Sequence, residues 1–238
     1  MLLPSLGKAK ETAKQIGCNS NMRQIGQLQI TYTHDFNDFF IPISGLTYNG
    51  SHLNSLHFAF TTPVPWFLYL SNTMGPENMS EYIKFNHIFL CPSETTVIRY
   101  SDNANTNYPR WAHYVLNQLL SGVKGGASDG YTYHTTKMVE QPSHTVMTLE
   151  SRKGKNGTVS IADWAFRHGG GYNPAVEPSK TLSVSGKMNT VMSDGHVEPF
   201  TWQQIMSTPT LPKYGYGNSP VLSFLSTGYK LWSGIAVD

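Results

Sequence analysis

Four side chains in the last third of the chain could do chemistry. His168 stands before three glycines in Arg167-His168-Gly169-Gly170-Gly171, and Asp194, His196 and Glu198 follow one another at alternate positions after Ser193. Taken as Ser193, His168 and Asp194, they spell a nucleophile, a general base and an acid to orient it. Nothing in the sequence brings those groups into the required order of hydrogen bonds, so the expectation is a protein that is not an enzyme. Taken as His168, Asp194, His196 and Glu198, they offer nitrogen and oxygen ligands to a metal, three of which a hairpin could gather. Nine histidines in 238 residues produce such groupings by chance, and no HExxH is present. The glycines after His168 could cradle a phosphate, but the strand, the GK[ST] and the helix of a P-loop are missing. Asp35, Asn37 and Asp38 could offer oxygens to calcium, without the twelve-residue spacing of an EF-hand. Apart from calcium there, no cofactor is expected.

The same residues also read as architecture. Asp194-Gly195 lies between two β-prone runs, Asn189–Ser193 and His196–Phe200. A two-residue type I′ turn needs positive φ at both central positions, which Asp then Gly can adopt. The spacing therefore predicts a hairpin with Asp194 and Gly195 at its tip. The His168-Gly169-Gly170 stretch predicts a mobile or closely packed loop.

Composition narrows the partners. The chain is 39% hydrophobic and only 13% charged, with a net charge of +2, and its polarity comes from Ser, Thr, Asn, Gln and Gly. That balance resembles secreted and envelope proteins and gives no basic stripe for a nucleic-acid partner. The two cysteines, Cys18 and Cys91, fit one disulfide in an oxidising compartment or two free thiols in a reducing one. No run of 18 apolar residues spans a membrane. Five tryptophans and thirteen tyrosines leave a binding surface for polysaccharide or an exported substrate as a competing function, although core positions suit such residues equally.

The elements that would position these groups read as one long helix, a mixed connector and a strand-rich body. Apolar residues recur at three- and four-residue steps from Leu3 to Tyr32, with the stronger stripe in the second half. Short helices are expected over 64–73 and 76–82, a turn at Asn49-Gly50-Ser51, and a buried stretch at Ile88–Pro92. Strands are expected at 114–117, 131–133, 146–150, 158–161, 188–192 and 196–202. The tail from Pro209 to Asp238 has no clear period and reads as a loop. The order is α+β, not alternating βαβ. It suits a single domain over 1–238, divided into a helical stalk at 1–35, a connector at 36–98 and a body with its tail at 99–238.

Several motifs, in order, resemble type IV pilin-like proteins and type II secretion pseudopilins. Leu2-Leu3-Pro4-Ser5-Leu6-Gly7-Lys8-Ala9-Lys10-Glu11 resembles the region after their apolar stretch, and Cys18-Asn19-Ser20-Asn21-Met22-Arg23-Gln24-Ile25-Gly26 resembles their C-x-x-N-x-R-Q-I-G continuation. Tyr32-Thr33-His34-Asp35 is similar to a Y-x-x-D segment, and Phe89-Leu90-Cys91-Pro92-Ser93 to an F-x-C-P-S element. His168-Gly169-Gly170 and Asp194-Gly195-His196 resemble the two ends of the H-x9-DG motif that marks one subgroup. Here 25 residues separate His168 from Asp194, and 172–187 reads as an insertion. The resemblance implies a long N-terminal helix packed by its second half on an antiparallel sheet. It implies a structural subunit of a type II secretion or type IV pilus-like assembly, with other pilin-like subunits and the secretion machinery as partners. It also implies a leader cleaved by a prepilin peptidase, a methylated N-terminal residue and an apolar half-helix anchored in the inner membrane. The soluble domain would then lie in the periplasm or outside the cell. The chain opens on Met1-Leu2-Leu3-Pro4, which reads as the soluble part with its membrane half removed.

Overall fold

The computed structural model describes residues 3–41, 66, 70, 87–94, 112–121, 134–152, 157–158, 160–170, 173, 178, 184–209 and 220–228. The expected turn at 49–51, the helix over 76–82, the strand at 131–133, most of the connector, and residues 210–219 and 229–238 of the tail lie outside those residues. Of the helix expected over 64–73, Trp66 and Leu70 are described, both helical and buried.

Helix α1 runs from Leu3 to Asp35. Its buried stripe is Cys18, Met22, Ile25, Gln29, Tyr32 and Thr33, steps of four and three residues that keep one face on the sheet. The helix ends where Asn37 and Asp38 take positive φ and the Asp38 N–H donates to the Thr33 carbonyl at 2.8 Å. That six-to-one bond, with Asn at the left-handed position, is a Schellman ending. Asn37 and Asp38 thus terminate the helix.

Among the described residues, five strands form one sheet in the order β3-β1-β2-β4-β5. They are β1 (Tyr114–Asn117), β2 (Val146–Glu150), β3 (Gly157–Thr158), β4 (Lys187–Met192) and β5 (Val197–Thr201). The pairs β1/β2, β2/β4 and β4/β5 are antiparallel, so the expected α+β class with an antiparallel sheet holds for four strands. The edge strand β3 departs from it and runs parallel to β1. The chain reverses after β2 but lies beside β1 instead of β2, so it points the same way as β1. Strand β3 also stops at Thr158, and the expected strand residue Ile161 begins a 3-10 turn.

Both faces of the sheet are covered. On one face Tyr114, Leu116, Met147 and Val191 meet α1. On the other, Val115, Val146, Leu149, Met188 and Met192 meet Trp164, Phe166, Ile205, Val221 and Phe224. The register shifts between Val146 and Thr148, which places Met147 and Thr148 together on the α1 side and returns Leu149 to the other. Thr148 uses that placement to donate to Gln29 Oε1 at 3.0 Å. The second face is closed by α3 (Trp202–Met206) and α4 (Pro220–Ser226); α2 is the single turn Gln118–Ser121. Helix α4 corrects the expectation of a loop throughout the tail: Val221, Phe224 and Leu225 at three- and one-residue steps have a core to bury into.

The Asp194-Gly195 turn joins β4 to β5, but it is not type I′. Only Gly195 has positive φ, at 88°. Its N–H donates to the Met192 carbonyl at 2.8 Å, and the Met192 N–H donates to the His196 carbonyl at 2.9 Å. That pattern is a three-residue loop with a glycine bulge, and Asp194 keeps ordinary φ while its carboxylate accepts from the His196 N–H. The turn is also where α1 docks. A Cβ on Gly26 would lie 2.7 Å from Val191 Cγ1, and one on Gly195 would lie 2.8 Å from Ile30 Cδ1. Gly195→Ala is expected to cost about 1–3 kcal/mol from positive φ plus this contact, and Gly26→Val to cost a similar amount through overpacking. Thermal melts that match the parent for both variants would contradict this docking.

Candidate functional site

The most chemically loaded place lies where α1, the 87–94 segment and the sheet meet. Cys18 arrives on the buried stripe of α1, and Cys91 follows the 3-10 turn at His87–Phe89. The two are joined in a disulfide with Cα atoms 5.0 Å apart, so the sequence alternatives of bridge and free thiols resolve to the bridge. Asn21 Nδ2 donates to the Leu90 carbonyl at 2.9 Å, and the Cys91 N–H donates to His113 Nδ1 at 3.0 Å. These bonds hold the segment against both helix and sheet.

Glu150, the last residue of β2, is wholly buried beneath the disulfide. One carboxylate oxygen is 2.7 Å from His168 Nε2. The Asn189 backbone N–H and side-chain Nδ2 donate to Glu150 at 3.3 Å each. His168 Nδ1 lies 3.4 Å from Ser93 Oγ, so both ring nitrogens are engaged. Cys91 Sγ lies 3.8 Å from Glu150 Oε1 and 3.9 Å from His168 Nε2. A second pair flanks the first. Arg167 Nε and Nη2 reach Glu94 Oε2 at 2.8 and 2.7 Å, with both side chains out of solvent. The guanidinium also donates to the Ser151 and His113 carbonyls. A buried acid must be paired and hydrogen-bonded to be tolerated, and here each of the two acids has its own cation or imidazole. Burial raises the Tyr114 hydroxyl pKa far above its ordinary value; the Glu150 charge adds to that rise and Arg167 opposes it.

His168 is placed by the backbone. It forms an isolated antiparallel bridge with Lys187, at the start of β4. Gly170 lets the loop lie against the neighbouring backbone, since a Cβ there would meet Gly186 N at 2.5 Å. Of the two readings of the glycine stretch, close packing is the one the structure shows. The Asp194 turn sits at the opposite end of β4. Six strand residues separate the two ends by about 17–20 Å. The sequence-drawn triad is therefore not formed: His168 pairs with Glu150, Asp194 with His196 at 2.6 Å, and the Ser193 hydroxyl donates to the Pro142 carbonyl. The sequence-drawn metal set divides in the same way. Asp194, His196 and Glu198 share an exposed edge, with His196 Nε2 3.7 Å from Glu198, while His168 belongs to the buried cluster.

Sequence reasoning missed Glu150, Glu94, Asn189 and His113 as members of this site. The available signal was an acid closing an otherwise apolar run, Val146-Met147-Thr148-Leu149-Glu150, in a strand that proves buried at every position. Of the tryptophans behind the competing idea of an aromatic binding surface, Trp66 and Trp164 are fully buried and Trp202 is half-buried. Trp111 and Trp232 lie outside them. No described helix is long and apolar enough to cross a membrane. No protein-family model, curated protein or solved structure matches this chain.

Proposed function

We propose that this chain is a structural, non-enzymatic, pilin-like subunit of a type II secretion or type IV pilus-like assembly in the cell envelope. Its partners would be other subunits that bear the same kind of helix, together with the secretion machinery. Its anchorage in the inner membrane, with this domain in the periplasm or outside the cell, is part of the same proposal. The observation that carries it is the division of α1. Residues 5–13 are exposed on every side, whereas the stripe from Cys18 to Thr33 is buried on the sheet. A helical arm without packing is marginal in water. Leu6 on the arm and Ile16 at its base are 67% and 63% exposed, apolar groups that a neighbouring helix would cover. The disulfide grips α1 at the boundary between its free and docked halves, so the arm projects from a rigid base.

A photo-crosslinking residue in place of Leu6, introduced in the native cells, tests this. Crosslinks to further copies or to other helix-bearing envelope subunits, recovered with the membrane or a sheared-fibre fraction, are the expected result. A soluble monomer without crosslinks at that position would overturn the reading.

A further inference from the structure

We propose that reduction of the Cys18–Cys91 bridge turns the buried cluster into a divalent-metal site suited to zinc. Its ligands would be the Cys18 and Cys91 thiolates, His168 Nε2 and one Glu150 carboxylate oxygen. The four donor groups already converge: their ligand atoms all lie within 4.8 Å of one another, and all four residues are buried. In a tetrahedral zinc site, bond lengths of about 2.0–2.3 Å place ligand atoms about 3.3–3.8 Å apart. Cys91 Sγ is already 3.8 Å from the Glu150 oxygen and 3.9 Å from His168 Nε2. Two thiolates, an imidazole and a carboxylate are a borderline-soft donor set that favours zinc over magnesium or calcium.

The outer contacts are also those a metal site uses. Asn189 holds Glu150 through two N–H groups. Ser93 lies by His168 Nδ1, where its hydroxyl oxygen can accept a hydrogen bond from Nδ1–H and leave Nε2 free to ligate. In the oxidised protein a proton bridges Nε2 and the Glu150 oxygen across 2.7 Å; the metal would take that place. Asn189 Oδ1 is buried with no hydrogen-bond partner, so the cluster wall is polar beyond the needs of packing.

The chemistry balances in two steps. A dithiol transfers two electrons and two protons to the bridge, giving the Cys18 and Cys91 thiols, and closes to its own disulfide. Zinc then displaces the two thiol protons, which leave to solvent, and the proton held between Nε2 and Glu150, which passes to Nδ1 of the neutral imidazole; the metal joins α1 to the 87–94 segment as the S–S bond did. Both sulfurs are buried, so each step requires the helix–sheet junction to open locally.

The test uses the full chain, reduced with a dithiol under argon and freed of it, then titrated with zinc and, in parallel, with cobalt. The expected result is about one zinc per chain, with thiolate-to-cobalt charge-transfer absorption. Both should be lost in the oxidised chain and in Cys18→Ser/Cys91→Ser. Ser93→Ala, which keeps all four ligands, should bind about tenfold more weakly or worse. If the reduced chain unfolds, zinc should restore its circular dichroism. A folded reduced chain that takes up no zinc would overturn the proposal. So would equal uptake by Cys18→Ser/Cys91→Ser, or an unfolded reduced chain that zinc fails to refold.

Discussion

Replacing both bridge residues, Cys18→Ala with Cys91→Ala, should lower the unfolding free energy by about 4–5 kcal/mol in metal-free buffer. The bridge closes a loop with a sequence separation of 73, and the chain-entropy account assigns a loop of that size a cost of this order in the unfolded state. For a domain of this length that is a fall in Tm of about 10 °C or more. The loss should also be uneven. α1 meets the sheet through a single stripe, while β4 is paired on both sides by β2 and β5. Amide exchange should therefore quicken most in residues 18–33 and 87–94, and least in β4. Chemical denaturation with exchange mass spectrometry measures both effects. A change under about 1 kcal/mol, with α1 protected as before, would show that the helix needs no covalent fastening.

Arg167→Met should be the most damaging single substitution away from the bridge, at about 3–5 kcal/mol. The change keeps the volume of the side chain and removes only its charge and donors. It leaves the Glu94 carboxylate, 1% exposed at its side chain, without its guanidinium, and takes donors from the Ser151 and His113 carbonyls. Removing one partner of a buried pair costs far more than the pair contributes, because the remaining charge stays desolvated. For the same reason Arg167→Met with Glu94→Gln should recover about 1 kcal/mol or more of the loss. Urea unfolding of the two variants and the parent closes the cycle. A single variant as stable as the parent, or a double variant weaker than the sum of its parts, would mean that Glu94 reaches water when Arg167 is gone.

The class of the fold was legible because it rests on local patterns. The three-and-four stepping from Cys18 to Tyr32 specifies a helix with one buried face, and the runs at 114–117, 146–150 and 188–192 specify strands, whatever surrounds them. Asp194-Gly195 marked a reversal for the same reason, since left-handed backbone is open to few residue types. Its type was not legible. Whether Asp194 joins Gly195 at positive φ depends on how β4 and β5 pair and on Ile30 of α1 lying against the turn. The tail misled because Pro220–Ser226 is one short stripe, too short to hold a helix by itself, and it is held by packing such as that of Phe224 on Trp164 and Phe200.

The long helix, the strand-rich body, the two cysteines and a turn at Gly195 can be read from the chain alone. Each follows from composition or from neighbours a few positions apart. The role of His168 comes from packing. Its partners Glu150 and Ser93 stand 18 and 75 residues away, and the acid nearest to it in the family-like motif, Asp194, is held at the far end of β4. Burial made the difference. An acid at the end of β2 becomes tolerable only where a histidine, an asparagine and the end of a strand converge, and such convergence is a property of packing, on which spacing along the chain carries no information.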